Sequence, residues 1–339
     1  MSTSLLALAG ASPAGRISRR VMAIGIAPIL IIALVAVMAL TEPRFFSRLN
    51  VINILRNFSL LSLIALGQTL VMVVGGFDLS VGAVMAIASV AGAMSMAWFA
   101  MSVPEAPAVM VCIVGFLAAL AAGGVAGLTN GLLVTKLRIA PFMGTLAMMS
   151  ALFGAALFIT KGVPVSGVPS AFVDVIGRGI WFGLPVIFWI SAVAILVVWF
   201  VMHETPFGRH LYAAGGNSHA ARASGVPLGR VVVSAYVISG LLAALVGLLV
   251  TARVGSGQPT IGNTSAIESI AAAVLGGVSL RGGEGNVWRV VAAALFLAIM
   301  ANVLNLARID SKWQALILGV AVIGAVLVEM RTGKGSHNE

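Results

Sequence analysis

Val231-Val232-Val233-Ser234-Ala235-Tyr236-Val237-Ile238-Ser239-Gly240-Leu241-Leu242-Ala243-Ala244-Leu245-Val246-Gly247-Leu248-Leu249-Val250-Thr251-Ala252 is a run of 22 residues without a charge, closed by Arg230 before it and Arg253 after it. As a helix rising about 1.5 Å per residue, it reaches about 33 Å, enough to cross the hydrocarbon core of a bilayer. Strands of an outer-membrane barrel are about half as long and alternate in polarity, so the run predicts helix and excludes barrel.

The same pattern recurs along the chain. Ten apolar segments can be marked, at 21–40, 52–74, 80–101, 108–134, 141–160, 184–202, 231–252, 265–280, 288–307 and 313–330, each bounded by charge, Pro or Gly. Only 9% of the 339 residues are charged, where an average soluble chain of this length carries about 85 charges. Thirty charges cannot solvate the outside of such a body, whereas a lipid-facing surface needs none. Mean hydropathy of +1.11 agrees. The fold class is therefore all-α, a polytopic membrane protein of about ten transmembrane helices, one of them short or broken. Its single cysteine, Cys112, lies inside an apolar run and reads as core packing, so a disulfide framework and a cysteine zinc site are both excluded. The net charge of +10 is scattered between apolar runs and forms no face for nucleic acid.

Lys and Arg mark the cytoplasmic side of membrane proteins. With the N-terminus inside, twelve fall on the inner side: Arg16, Arg19, Arg20, Lys136, Arg138, Arg209, Arg222, Arg230, Arg281, Arg289, Arg331 and Lys334. The outer side holds eight: Arg44, Arg48, Arg56, Lys161, Arg178, Arg253, Arg308 and Lys312. Residues 1–20 and 331–339 then read as cytoplasmic tails around one transmembrane domain, 21–330, and Leu5–Ala11 is too short and too poor in preceding positive charge for a signal peptide. Two connections stand out, an outer one at 161–183 and an inner one at 203–230. Neither has room for a soluble catalytic domain, which argues against an enzyme and for work done by helices moving against one another.

Three stretches break the apolar monotony. Asn50–Asn57 opens the second segment, and Gly75-Gly76-Phe77-Asp78-Leu79-Ser80 follows its end. An acid at the bilayer centre costs about 2.5–3.5 kcal/mol on insertion scales, so Asp78 is expected at an interface or facing a wet path. Two roles fit: Asp78 or Ser80 caps the next helix after a Gly-Gly turn, or Asp78 lines a translocation path. The segment beginning at Ser265 has only about sixteen apolar residues, short for a span, and contains Glu268. It predicts a tilted, broken or partly buried element. Val274-Leu275-Gly276-Gly277 within it echoes Val73-Val74-Gly75-Gly76, a weak sign of an internal repeat.

The inner connection carries explicit helix punctuation. Thr205 with Pro206 reads as N-cap and first turn, Gly215-Gly216 as a stop, Asn217 or Ser218 as a second N-cap, and Gly225 with Pro227 as a second stop. Two short helices follow, too short to stand alone and needing their own spans or a partner protein to hold them. His203 and His210 are spaced to share one helical face, but His219 falls nearly opposite with the Gly pair intervening, which rules against three-point metal ligation. A phosphate-binding loop is missing as well, since Gly333-Lys334-Gly335 lacks the upstream glycine and the hydroxyl residue. Gly123, Gly127 and Gly131, spaced by four, predict close helix packing.

Taken in order, Asn50–Arg56, Gly-Gly-Phe-Asp-Leu-Ser-Val-Gly at 75–82, Asn-Gly-Leu-Leu-Val at 130–134 with Pro141-Phe142, the Phe207–Gly225 loop and Leu-Gly-Gly-Val-Ser-Leu at 275–280 resemble the ribose-type monosaccharide ABC importer permeases. The resemblance covers residues from about 45 to 330. It implies an ATP-driven importer of two permease chains, identical or not, two cytoplasmic ATPase subunits and a periplasmic sugar-binding protein. ATP and Mg would be used by the ATPase, with no cofactor on this chain. It further implies that the inner loop docks into the ATPase through Gly208, Arg209, Tyr212, Gly215, Gly216, Asn217, Ala220, Ala221, Arg222 and Gly225. Residues assigned to a translocation path are Asn57, Gly75, Gly76, Phe77, Asp78, Ser80, Glu268, Gly276, Gly277 and Ser279. The alternative from another class is an ion-coupled secondary transporter with Asp78 and Glu268 as coupling carboxylates. A passive channel has neither a filter-like motif nor a ring of charge to support it.

Overall fold

A computed structural model describes residues 27–309 together with Trp313, Leu316, Gly319, Val320 and Gly324. The tails 1–20 and 331–339, the start of the first apolar segment and most of the last lie outside the described residues. Helices occupy the other segments: α1 (Ala27–Thr41), α2 (Arg48–Val73), α3 (Val81–Ser102), α4 (Ala108–Thr135), α5 (Pro141–Thr160), α6 (Val186–His203), α9 (Leu228–Val254), α10 (Ser265–Leu275) and α11 (Val287–Leu306). Between α6 and α9 come the two short helices, α7 (Pro206–Gly216) and α8 (Ser218–Ala223). Seven of the helices are long and apolar enough to cross a membrane.

Helix ends follow the local chemistry. Ser47 caps α2 by accepting the Asn50 N–H, Asn286 caps α11 by accepting the Trp288 and Arg289 N–H groups, and Pro141 occupies the first turn of α5, where its missing N–H costs nothing. The outer connection contains a small hairpin, β1 (Ile180–Trp181) against β2 (Leu184–Pro185), and Val165 pairs with Gly257 beyond the end of α9.

α2 is the central helix. Ser62 to Val73 are buried without interruption, and α6, α9, α10 and α11 pack around them. α4 lies against α9 at backbone distance: a Cβ on Gly123 or Gly127 would run into the carbonyls of Gly240 and Tyr236, and one on Gly131 would sit 2.8 Å from the Val233 Cα. The small-residue spacing is thus a packing seam, held by backbone approach rather than by a hydrophobic force that lipid cannot supply. α3 and α5 extend this layer, and α1 packs on α11. Cys112 on α4 is half-buried against a group of buried apolar residues that includes Met96, Val111 and Ala119, as expected of packing. Large apolar side chains such as Leu117, Phe158 and Phe200 point outward. In water they would be a liability; toward lipid they are the solvated surface.

Two opposite faces emerge. On one, the Gly283 N–H donates to the Val73 carbonyl at 2.8 Å and the Tyr212 hydroxyl donates to the Gly285 carbonyl at 2.9 Å, so the α2–α3 turn, α7 and the α10–α11 loop share a side. On the other, Arg56 donates to the Arg178 carbonyl at 3.3 Å and Arg253 donates to the Asn57 side-chain oxygen at 2.7 Å. These are the groupings that the charge count assigned to the inner and outer sides.

Candidate functional site

The segment between α2 and α3 is a buried polar knot. Gly75 takes a positive φ of 80°, which lets the Gly75 N–H bond the Met72 carbonyl and the Gly76 N–H bond the Val71 carbonyl, ending α2 in a Schellman turn. The chain then delivers Asp78 to the interior, where it is 1% exposed. Its Oδ1 accepts from the Ser80 N–H at 2.9 Å and the Ser80 hydroxyl at 2.6 Å, and its Oδ2 accepts from the Ser239 hydroxyl at 3.2 Å. Asn130 donates to Ser80 Oγ at 2.8 Å, and Tyr236 donates to the Phe77 carbonyl at 3.1 Å. With its amide turned to satisfy both groups, Gln68 donates to the Asp78 carbonyl at 2.9 Å and accepts from the Asp78 N–H at 3.3 Å. Thr145 accepts the Leu79 N–H at 3.2 Å.

Five helices, α2, α3, α4, α5 and α9, therefore meet on a seven-residue loop. Burial pushes the Asp78 carboxyl up from the ordinary carboxylate range, and the bonds from Ser80 and Ser239 pull it part of the way back. Among the described residues the one ion pair within 4 Å is Arg178–Asp174, on the other face, so hydrogen bonds alone compensate Asp78. Ser80 is the residue preceding α3, but its hydroxyl is committed to Asp78 and bonds no N–H of the first turn. Asp78 accordingly fixes the loop through an Asx turn, a variant of the capping expectation in which the carboxylate bonds Ser80 itself.

The inner helices join this knot. Thr205 accepts the Gly208 N–H and Asn217 accepts the Ala220 N–H, so both expected N-caps are present. Gly225, with φ of 83°, ends α8 through bonds from Gly225 N–H to Arg222 and from Val226 N–H to Ala221. The Gly215-Gly216 stop holds in place, since α7 ends at Gly216, though neither glycine takes a positive φ. Both glycines lie inside α7, and extended Asn217 ends it. Their reason is proximity: a Cβ on Gly215 would run into the Val73 carbonyl and sit 2.6 Å from the Gly283 nitrogen. α7 thus presses its last turn on the end of α2 and on the α10–α11 loop at once. Tyr212, whose phenol burial pushes up, ties α7 to the same loop.

The residues assigned to ATPase contact divide by exposure. Gly208, Tyr212, Gly215 and Ala221 turn inward, where Gly208 meets the end of α6 at Met202. Arg209, Gly216, Asn217, Ala220, Arg222 and Gly225 stay exposed and compose the outward face of the pair.

The path residues also separate. Gly75, Gly76, Phe77, Asp78 and Ser80 belong to the knot. Gly276 and Gly277 end α10 beside it, Gly277 with φ of 78° and the same Schellman bonds, to Val274 from Gly277 N–H and to Ala273 from Val278 N–H. The echo of the two Gly-Gly pairs is real in geometry but displaced by one residue, the first glycine being left-handed after α2 and the second after α10. Ser279 follows in that loop, its N–H donating to the Glu284 carbonyl at 3.2 Å. Asn57 and Glu268 lie elsewhere. Asn57 precedes Gly75 by eighteen residues, about 27 Å along the helix. Together with Glu268 it lines a cavity of about 270 Å³ on the opposite face, between α2, α3, α9, α10 and α11. α10 is eleven residues long with seven of them buried, the short, partly buried element expected, and Glu268 accepts from the Thr264 hydroxyl at 2.7 Å.

Sequence reasoning missed Gln68, Thr145, Tyr236 and Ser239 as partners of the knot. The available signal was polarity inside apolar runs: Tyr236 and Ser239 are spaced by three and so share a helix face.

The family described as "Branched-chain amino acid transport system / permease component" matches residues 50–328. The chain is 38% identical over 301 residues to the ribose import permease protein of Bacillus subtilis (strain 168), covering 88% of this chain and 90% of that protein. It is 32% identical to the fructose import permease protein of Rhizobium meliloti, covering 89% of this chain and 83% of that one. For the galactose/methyl galactoside import permease protein of Escherichia coli (strain K12) the figures are 33%, 89% and 92%. No solved structure matches the chain significantly. The ordered motifs, the helical membrane architecture and matches over nearly the whole length agree: the chain belongs to this permease-component family, alongside the ribose-type importer permeases that its motifs resemble.

Proposed function

We propose that the chain is the membrane-spanning subunit of an ATP-driven monosaccharide importer in a bacterial inner membrane. It works with a second permease chain, a cytoplasmic ABC ATPase and a periplasmic sugar-binding protein, and binds no cofactor itself. The observation that carries this reading is the two-sided α7–α8 element. Its inward residues are locked on the end of α2 and on the α10–α11 loop, and its outward residues Arg209, Ala220 and Arg222 face away from the chain with a positive bias. A helix pair built this way transmits displacement of an attached partner to both helix ends. ATP-driven closure of the ATPase would move α7, and Gly215 would carry the motion to Val73 and Gly283. The excess of positive residues in the whole sequence supports a cytoplasmic position for this face and for both tails.

Sugar as cargo is supported by the named activities of the relatives, on ribose, fructose and galactose. The ion-coupled alternative is disfavoured because Asp78 and Glu268 lie on opposite faces and share no site. Proteoliposomes holding the permease, its ATPase and its binding protein test the proposal. ATP-dependent uptake of ribose, fructose or galactose, unaffected by a protonophore, is the expected result. Leucine uptake in place of sugar uptake overturns the cargo, and collapse by the protonophore at constant ATP overturns the mechanism.

A further inference from the structure

The outer cavity has the construction of a solute-holding site. Its rim carries Asn57, Ser265 and Glu268, and its floor is aliphatic, formed by residues such as Ile64, Met85 and Val246. The two longer rim side chains are held by neighbours. Arg253 grips the Asn57 carbonyl oxygen at 2.7 Å, and Thr264 grips Glu268 Oε1 at 2.7 Å. Each bond occupies one atom and leaves the other without a partner among the described residues: the Asn57 amide nitrogen, a donor, and Glu268 Oε2, an acceptor. A hydroxyl both donates and accepts, so the rim suits a solute with hydroxyls on one side and C–H groups on the other. Charge of both signs stands at the rim, the Glu268 carboxyl on one side and the Arg253 guanidinium behind Asn57 on the other, which suits a neutral solute that both donates and accepts. The volume of about 270 Å³ is many times what one water needs, room for a small polyhydroxylated solute. α2 below Ile64 is buried without interruption to Val73, so no open path leads inward along it.

Resting on the function proposed above, we infer that this cavity is a transit site for a neutral monosaccharide, with Asn57 and Glu268 as its donor and acceptor and Arg253 and Thr264 as positioning residues. Among the described residues the lining contains no aromatic ring on which a sugar could stack, so holding is weak, as suits a site that must release its occupant inward once the lower half of α2 moves.

The test uses the complete transporter in proteoliposomes. Cys112→Ala removes the native thiol, and Ala298→Cys places a reporter in the cavity wall. Ribose, fructose or galactose at millimolar concentration is expected to slow alkylation by a small polar thiol reagent, about threefold when the sugar stands at twice its Kd. Glycine betaine at equal concentration is expected to have no effect. The protection should vanish in Asn57→Leu and Glu268→Leu, weaken in Arg253→Met and return in Arg253→Lys. Glu268→Gln, which keeps the shape and an acceptor oxygen, should retain most of it. Absence of protection by all three sugars, or equal protection in the two Leu variants, overturns the transit site. ATP-driven uptake measured in the same vesicles separates the two claims: if uptake is normal and protection absent, the transit site alone falls, whereas sugar uptake without ATP refutes the importer itself.

Discussion

Gly215→Ala places a methyl group where α7 meets the end of α2. The added carbon collides with the Val73 carbonyl and lies 2.9 Å from the Val73 carbonyl carbon and 2.6 Å from the Gly283 nitrogen. Those two groups share a 2.8 Å hydrogen bond, so relief by sliding α7 away disturbs the bond as well. Overpacking costs about 1–3 kcal/mol and the bond contributes about 0.5–1.5 kcal/mol, while alanine regains about 1 kcal/mol over glycine in a helix. The balance is a loss of about 2 kcal/mol, which corresponds to a fall on the order of 5 °C in melting temperature. Gly216→Ala is the matched control. Its methyl would meet nothing closer than the Gly283 Cα at 3.9 Å, so the protein should be as stable as the parent or slightly more so. Thermal unfolding in detergent reads the stability of both variants, and binding-protein-stimulated ATP hydrolysis in the assembled transporter reads coupling. Gly215→Ala should lower both. Gly216→Ala should lower stimulation alone, because this exposed position can act only through a partner. Equal melting temperatures for Gly215→Ala and the parent would refute the three-way junction.

Gly127→Ala should destabilise the α4–α9 seam by about 1–3 kcal/mol, while Gly124→Ala, whose methyl meets Leu241 at an ordinary 3.5 Å, should leave the melting temperature unchanged. Asp78→Asn keeps an oxygen for Ser80 and offers an amide to Ser239, so ATP-driven uptake should survive it, whereas Asp78→Leu orphans the Ser80 and Ser239 donors and should cost about 1–3 kcal/mol per group in thermal unfolding. Cys112→Ala, at a half-buried packing position, should retain membrane insertion and uptake in a transport assay.

Helices were legible because lipid leaves a chain no other way to satisfy its backbone, so an uncharged run such as 231–252 could become little else. The caps at Thr205, Asn217 and Gly225 were legible for the same local reason: each satisfies N–H or C=O groups within a few residues. Gly215-Gly216 marked the end of α7 but hid a second role, because glycine answers two different needs. A stop is a local property, and close approach to Val73 and Gly283 is a tertiary one that no window of sequence contains. Asp78 was flagged by its cost in an apolar setting, yet its partners come from residues 68 to 239, and only folding brings them together. Asn57 and Glu268 were assigned to one translocation path with Gly75–Ser80, and only the geometry of α2 shows that they stand at its other end. Orientation is carried by the tails: among the described residues the two faces hold seven Lys and Arg each, and the bias comes from Arg16, Arg19, Arg20, Arg331 and Lys334.

The most direct measurement is solute accumulation in sealed proteoliposomes containing the permease with or without the ATPase, the binding protein and ATP. Concentration of ribose, fructose or galactose against its gradient is expected only with all of them present, and it should persist when a protonophore dissipates the proton gradient. Uphill uptake by this chain alone, with no nucleotide, would show that the driving force enters through the permease itself and would contradict its role as the membrane half of an ATP-driven importer.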